Sequence, residues 1–307
     1  MGKISIFGVS RSGKTCYLYA MSQVLQRGAK LGDFRLSIIA NDIAQQAALN
    51  SGYLEMAADG RWPQGNNTTN EYDLNVRVQD ANSFKEIIPS LILYDYAGGV
   101  WTNNNPQAVQ DRKQLMKAFA ESSAIIFLVD GITLLHAMNN NDLHPSHRGT
   151  ASIQEIVDAG QQIAFVENMF KAYKQNGNKV APVMVVVTKA DVFATSDELK
   201  NGKKLIKEYL PSIFAKGSRI DSAITDVSLG THLGVGQGNQ ITGNLSLNTQ
   251  YNIHLPIVYS LYAYLDGVYD QSSPAEQSYI NQVLKPLREM MNGKVEMYNN
   301  GNPVIPV

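Results

Sequence analysis

Gly8-Val9-Ser10-Arg11-Ser12-Gly13-Lys14-Thr15 decides how this chain is read. It follows the apolar run Ile4-Ser5-Ile6-Phe7 and leads into Tyr17-Leu18-Tyr19-Ala20-Met21, a helical pattern. The stretch is G-x-x-x-x-G-K-[ST] set between a strand and a helix. Its glycines let the backbone wrap closely around an anion, so that several N–H groups converge on it. The helix that starts there adds the positive end of its dipole. Lys14 reaches the outer phosphates, and the Thr15 hydroxyl is placed for Mg²⁺. The pattern predicts a nucleoside triphosphate held by Gly8, Ser10, Arg11, Ser12, Gly13, Lys14, Thr15 and Cys16. A glycine–serine turn with no ligand is the plainer reading, and the agreement of strand, loop and helix argues against it.

The rest of the chain agrees with such a domain. Its 307 residues are 44% hydrophobic and 17% charged, enough to bury a sizeable core. Lys and Arg number 26 against 27 Asp and Glu, so no global field attracts nucleic acid or anionic lipid. Nothing in the sequence is long and apolar enough to span a membrane. Met1-Gly2-Lys3 runs directly into the first strand, which predicts no signal peptide, and Ile6 stands where myristoylation needs Ser or Thr. Cys16 is the single cysteine, which excludes an internal disulfide and a cysteine zinc site and predicts a reducing, cytoplasmic setting. A small packed helix residue is the expectation for it, not a nucleophile.

Periodicity predicts a helix from Lys14 to about Arg27, a strand Phe34 to Ala40, and a helix Ile43 to about Ala58 capped by Asn41-Asp42. Asp59 to Asn70 is polar and punctuated by Gly and Pro, a loop. Tyr72 to Val78 and Ile87 to Tyr94 read as an antiparallel pair around Asp80-Ala81-Asn82-Ser83. Strands then alternate with helices: Pro106 to Glu121, Ala124 to Val129, Ser152 to Gln175, Val183 to Val187, Asp197 to Tyr209, Ser222 to Val227 and Pro256 to Tyr269. The expected fold is α/β in three layers, a mostly parallel central sheet with one antiparallel strand between helix layers. Residues 1–270 form this domain, with an inserted Gly-rich loop over about 230–248. Residues 271–307 add a helix opened by Ser273-Pro274 and a tail.

Two further motifs carry chemistry. Leu91-Ile92-Leu93-Tyr94-Asp95-Tyr96-Ala97-Gly98 is an apolar strand that delivers a carboxylate and then a glycine. Asp95 can hold Mg²⁺ through water beside Thr15, and the Gly98 N–H can contact a γ-phosphate. Val185-Val186-Val187-Thr188-Lys189-Ala190-Asp191 supplies the third element. A carboxylate at Asp191 accepts from the ring N–H and the exocyclic amine of guanine, while the stem of Lys189 lies on the base plane. Adenine presents an acceptor at the ring position and is repelled. Ser228 sits where the next strand end can close over the base through backbone N–H groups.

These three motifs, in order and over about residues 3–270, resemble the Ras-like P-loop GTPases of the translation-factor-related class. The resemblance implies GTP and GDP as ligands, Mg²⁺ as cofactor, and a loop threonine that completes the metal shell. Thr68 and Thr69 are the candidates, Thr69 preferred. Trp62-Pro63, three residues and then Asn67-Thr68 also resembles the W-P-x-x-T segment of the prokaryotic double-GTPase-type proteins of conflict systems. A glutamine follows the D-x-x-G glycine in Ras-like switches and orients the attacking water. Here that position is Gly99, so hydrolysis is expected to be slow. Arg11 occupies the position of a cis-acting arginine in guanylate-binding proteins, whose loop has a similar G-x-x-R-x-G-K-S pattern. It can neutralise charge on the γ-phosphate, or simply sit in solvent or beside an acid.

The expectation is thus a GTP-binding molecular switch with Lys14, Arg11 and Thr69 in catalytic roles and Thr15, Asp95 and Thr68 or Thr69 at the metal. A protein effector or activator, and a nucleotide-dependent pairing of two copies, are the partners it implies. A scaffold that binds GTP without hydrolysing it is the alternative, kept open by Gly99. Elsewhere the plain readings are the expectation: His144 and His147 as a solvated loop, Lys200, Lys203, Lys204 and Lys207 as a solvated face, and the stripe from Tyr279 to Met291 as packing on the chain's own domain.

Overall fold

The computed structural model describes residues 2–8, 12–63, 72–80, 82, 86–95, 106–138, 163–164, 166–171, 174, 180–235 and 241–304. Ten strands form one sheet. Its parallel centre consists of β1 (Lys3–Gly8), β5 (Glu86–Asp95), β6 (Ala124–Asp130), β7 (Val183–Thr188) and β8 (Ser222–Asp226), in the order β5-β1-β6-β7-β8. On the β5 side the sheet continues antiparallel through β4 (Leu74–Asp80), β3 (Phe34–Ala40) and β2 (Ala29–Leu31). Beyond β8 it continues antiparallel through β11 (Glu296–Asn299) and β12 (Asn302–Val304). The reversed strand expected between residues 72 and 78 is β4, and the structure adds reversed strands β2 and β11 toward the edges.

Alternation along the central strands divides the interior in two. In β6, Ala124, Ile126 and Leu128 enter one apolar cluster, and Ile125, Phe127 and Val129 the other. In β7, Met184 and Val186 face the first cluster, and Val183, Val185 and Val187 the second. Side chains on successive residues point to opposite faces, so strands covered on both sides must be apolar throughout. The first face is covered by α1 (Lys14–Gln26), α2 (Ile43–Ala57), α7 (Leu255–Tyr269) and α8 (Pro274–Met291). The second is covered by α3 (Pro106–Glu121), α4 (Gly131–Met138), α5 (Ser196–Tyr209), α6 (Pro211–Phe214) and residues 166–171.

Local signals set the helix starts. Asp42 accepts from the Ala44 N–H at 3.0 Å and caps α2, as its position suggested. Thr195 caps α5 through the Glu198 N–H, and Ser273 with Glu276 forms a reciprocal capping box on α8. The helix expected between Ser152 and Gln175 and the loop with His144 and His147 lie largely or wholly outside the described residues.

Two expectations are corrected. The Gly-rich stretch read as an inserted loop contains an antiparallel strand pair, β9 (Thr231–Val235) with β10 (Ile241–Asn244), whose register shifts between Thr242 and Asn244. The lysine face of α5 is solvated only in part. Lys200 and Lys204 are exposed beside Asp197 and Glu208, but Lys203 is buried on Asp226 at 2.6 Å and Lys207 lies 2.9 Å from Glu296. The partners are on β8 and β11, which no pattern local to the helix reveals.

The residues beyond 270 are joined to the same core and sheet. Ile280, Val283, Leu287 and Met291 on α8 are buried in the first cluster, and β11 pairs with β8. Truncating Leu287, which has no exposed surface, removes contacts and leaves a cavity. Leu287→Ala is expected to lower stability by about 2–5 kcal/mol. Urea unfolding followed by far-UV circular dichroism is expected to show that loss as a shift of one transition; a separate early transition of the C-terminal part would contradict a shared core.

Candidate functional site

All five parallel strands end on chemistry-bearing residues at one edge of the sheet: Gly8 on β1, Asp95 on β5, Asp130 on β6, Thr188 on β7 and Asp226 on β8. β1 lies between β5 and β6, and the chain that has reached β5 on one side of β1 crosses through α3 to β6 on the other. A switch of this kind opens a crevice outside the carboxyl ends of the strands. The parallel register sets Asp95 opposite Ile6, two residues before Gly8.

Gly8 is required by close approach. A Cβ there would lie 2.6 Å from the Ser12 Oγ and 2.9 Å from the Leu128 Cβ. Gly13 caps α1 in the left-handed region, at φ 77°, and has no side chain to satisfy the first turn. The first bond inside the helix runs from the Tyr17 N–H to the Gly13 carbonyl at 2.8 Å. Amides ahead of Tyr17 have no carbonyl a turn earlier in the helix, so the α1 start presents N–H groups and the positive dipole end to the crevice. The Lys14 Nζ donates to the Gly8 carbonyl at 3.1 Å, folded back over the end of β1. Ser12 is fully buried and, among the described residues, its Oγ has no hydrogen-bond partner, an orphaned polar atom ahead of α1. Ser10 and Arg11, Thr68 and Thr69, and Gly98 with Gly99 lie outside the described residues.

Thr188 was expected to touch the nucleotide. Its hydroxyl lies 2.7 Å from the Ser12 carbonyl and 3.1 Å from that of Val129. It therefore fastens the phosphate loop to the ends of β6 and β7. Lys189 follows at φ 52°, a strained conformation for a side-chain-bearing residue. Its Nζ is 3.0 Å from the buried Asp130 carboxylate. Asp130 was not singled out from the sequence, although Ala124 to Asp130 repeats the pattern of an apolar strand that delivers a carboxylate. It also accepts from the Ile132 N–H and the Thr133 hydroxyl, so it caps α4 while it holds Lys189. Gly131 beside it allows the Thr188 carbonyl to approach; a Cβ would be 2.4 Å away.

Asp191 lies in a short turn, Ala190–Val192, pinned by the Ala190 N–H on the Val227 carbonyl at 3.2 Å. Its Oδ1 accepts from the Ser228 hydroxyl at 2.9 Å and its Oδ2 from the Leu233 N–H at 3.0 Å. The backbone N–H of Ser228, expected over the base, is spent on the Tyr251 carbonyl at 3.3 Å, because the two residues form an antiparallel bridge. Ser228 reaches the site through its hydroxyl.

Cys16 is partly buried in the first turn of α1. Burial pushes its thiol up to about 12, against a smaller opposing effect of Lys189. The thiol is therefore protonated at neutral pH and is a weak nucleophile, as a packed residue should be. Iodoacetamide at pH 8 is expected to leave native Cys16 unmodified and to label it stoichiometrically in 6 M guanidinium, read by intact mass; fast labelling of the native protein would contradict this.

The residues fit a hard cation held through oxygen. Thr15 lies in the first turn of α1 and Asp95 ends β5 on the strand beside β1. Among the described residues the buried Ser12 hydroxyl ahead of α1 has no partner, a polar atom left for a ligand. Among the described residues no group of three or more His, Cys, Asp and Glu could cage a metal. Mg²⁺ needs none, since it is typically held by one or two carboxylates with phosphates and waters.

A family model described as Double-GTPase 2 matches residues 3–240, from the first strand through the Ala190–Val192 turn and into the hairpin. This chain belongs to that family. As a member of a GTPase family with this fold, it is a GTP-binding protein. Solved structures with looser likeness include two mutation variants of SsGBP. These are 16% and 17% identical, with TM-scores of 0.32 and 0.31, and cover 74% of this chain. The match spans 48% of the SsGBP chain, about half its length. Another is an ADP-ribosylation-factor-like GTP-binding protein, the small COPII coat GTPase SAR1 of Encephalitozoon cuniculi with GDP. It is 10% identical, with a TM-score of 0.31, over 94% of this chain and 82% of that one. No curated protein matches this chain in sequence. Among the described residues no helix is long and apolar enough to cross a membrane.

Proposed function

We propose that this protein is a Mg²⁺-dependent GTP switch whose own hydrolysis is slow. The observation that carries the reading is the meeting of the phosphate-loop and base-turn motifs at one sheet edge, bonded directly through Thr188 and Ser12. Backbone groups from Gly8 to Cys16 hold the phosphates, and Lys14 turns from the Gly8 carbonyl to the outer phosphate oxygens. Thr15, Asp95 and Thr68 or Thr69 hold the metal. Bound Mg²⁺ neutralises charge on the outer phosphates. Asp191 selects guanine, and Asp130 keeps the Lys189 stem beside the base plane. The Gly98 N–H contacts the γ-phosphate, so that the residues after it and those from Gly60 to Thr69 order with GTP and relax with GDP.

Gly99 has no side chain to orient water, which supports slow turnover. Arg11 is the group in the chain that can compensate, by placing a guanidinium at the γ-phosphate. A cytoplasmic setting, an effector or activator, and nucleotide-dependent pairing of two copies belong to the same reading. Gly99 also favours a second reading, a scaffold in which GTP is bound and never turned over.

Turnover per molecule measured against protein concentration separates these readings. A rise with concentration that collapses in Arg11→Ala supports paired copies and an arginine acting in cis. Flat turnover near zero, with intact GTP retained over hours, supports the scaffold. For the base, Asp191→Asn is expected to weaken GTP by about 10²-fold or more and to improve xanthosine triphosphate, because an amide donates where xanthine accepts. Unchanged nucleotide preference by calorimetry would overturn the assignment of Asp191.

A further inference from the structure

The Asp191 carboxylate is held by two groups from beyond its own turn. The Ser228 hydroxyl serves Oδ1 at 2.9 Å and the Leu233 backbone N–H serves Oδ2 at 3.0 Å. A carboxylate offers about four lone-pair positions, two on each oxygen. Among the described residues one on each has a partner. What remains is one acceptor per oxygen, which matches a ligand edge with two adjacent N–H donors.

We propose that the β9–β10 hairpin is part of the base-selecting apparatus, with the Leu233 amide as a positioning group that orients Asp191 for a guanine edge. The inference rests on the reading of Asp191 as the guanine acceptor and adds to it the hairpin, which carries none of the three nucleotide motifs.

The hairpin is built to hold that amide still. At its base, Gly230 lies so close to the Asn244 carbonyl that a Cβ would be 2.2 Å from the oxygen. The bridge between Ser228 and Tyr251 closes the chain behind it. Toward its far end the Ile241 N–H donates to the Gly60 carbonyl, which ties β10 to the segment after α2. Thr231, Gly234 and Val235 pair with β10, while the Leu233 N–H is directed to Asp191. The Ser228 hydroxyl has one proton, shared between Asp191 Oδ1 and the Gly230 carbonyl at 2.6 Å, so the Leu233 N–H is the donor committed to Asp191 alone. A committed donor limits the freedom of the carboxylate to rotate before a base arrives, so less orientation is lost on binding. It also explains why a strained Lys189 and a short turn suffice to present Asp191: the orientation comes from Leu233 on β9 and from Ser228, two residues beyond the end of β8.

The test compares GTP, inosine triphosphate and ATP on the full chain by calorimetry. Inosine lacks the exocyclic amine, so the ratio of GTP to inosine triphosphate affinity reads how well the second acceptor is aimed. Leu233→Pro removes the N–H, and Leu233→Ala keeps it. The alanine variant is expected to retain the wild-type ratio. In the proline variant GTP is expected to weaken about tenfold and inosine triphosphate clearly less, so the ratio narrows. Hydrogen exchange at the β10 amides reports whether the hairpin stands. If proline melts it, a variant with residues 231–243 replaced by Gly-Gly, which the proximity of Gly230 to Asn244 permits, is expected to narrow the ratio likewise. An unchanged ratio in the proline variant with an intact hairpin, or in the excision variant, would overturn the proposal. Failure of the wild-type chain to prefer GTP over ATP would instead overturn the reading of Asp191 itself.

Discussion

The hydroxyl of Thr188 on the carbonyl of Ser12 is the contact on which the candidate site depends. One partner closes the phosphate loop and the other ends β7, and 176 residues separate them. Both are buried. Inside the protein such a bond is strong, and an unmade one leaves a buried carbonyl without a partner at a cost of about 1–3 kcal/mol. The same contact sets the distance between the part of the crevice that would take phosphates and the part that would take a base. A single hydroxyl thus holds the two ends of the site in register.

Around it the site is built from groups that serve the fold and the chemistry together. Asp130 caps α4 and pairs with Lys189. Gly8 and Gly131 are small because the atoms they face, the Ser12 Oγ and Leu128 Cβ for Gly8 and the Thr188 carbonyl for Gly131, approach too closely for a side chain. Lys189 adopts φ 52° at a cost of order 1–2 kcal/mol, which the bonds on either side of it offset. Strain concentrated in this turn, and an orphaned hydroxyl at Ser12, are features expected of a pocket shaped for a ligand.

Much of the architecture was legible along the chain. The central strands were visible because burial on both faces requires every residue to be apolar, as in Val183 to Val187. Helix starts were visible through Asp42 and Ser273, whose side chains act on the next turn. The hairpin of β9 and β10 was not, since its short arms carry glycines and polar residues, and strand pairing across residues 236–240 leaves little periodicity. Lys203 and Lys207 looked solvated by helical spacing alone; their partners, Asp226 and Glu296, come from strands far off in sequence.

By itself the sequence determined that a G-x-x-x-x-G-K-T segment lies between the first strand and helix, that a strand ends on the carboxylate of Asp95, and that Asp191 follows an apolar strand. Each of these is a short-range pattern, in which the residue types and their spacing are the signal. Only the tertiary structure decided which groups hold those residues: Thr188 on Ser12, Asp130 on Lys189, and Ser228 and Leu233 on Asp191. The reason is physical. Every residue except proline carries a backbone amide and carbonyl, so a bond made by the amide of Leu233 leaves no mark on residue identity. It exists only once the sheet has brought the strand ends to one edge.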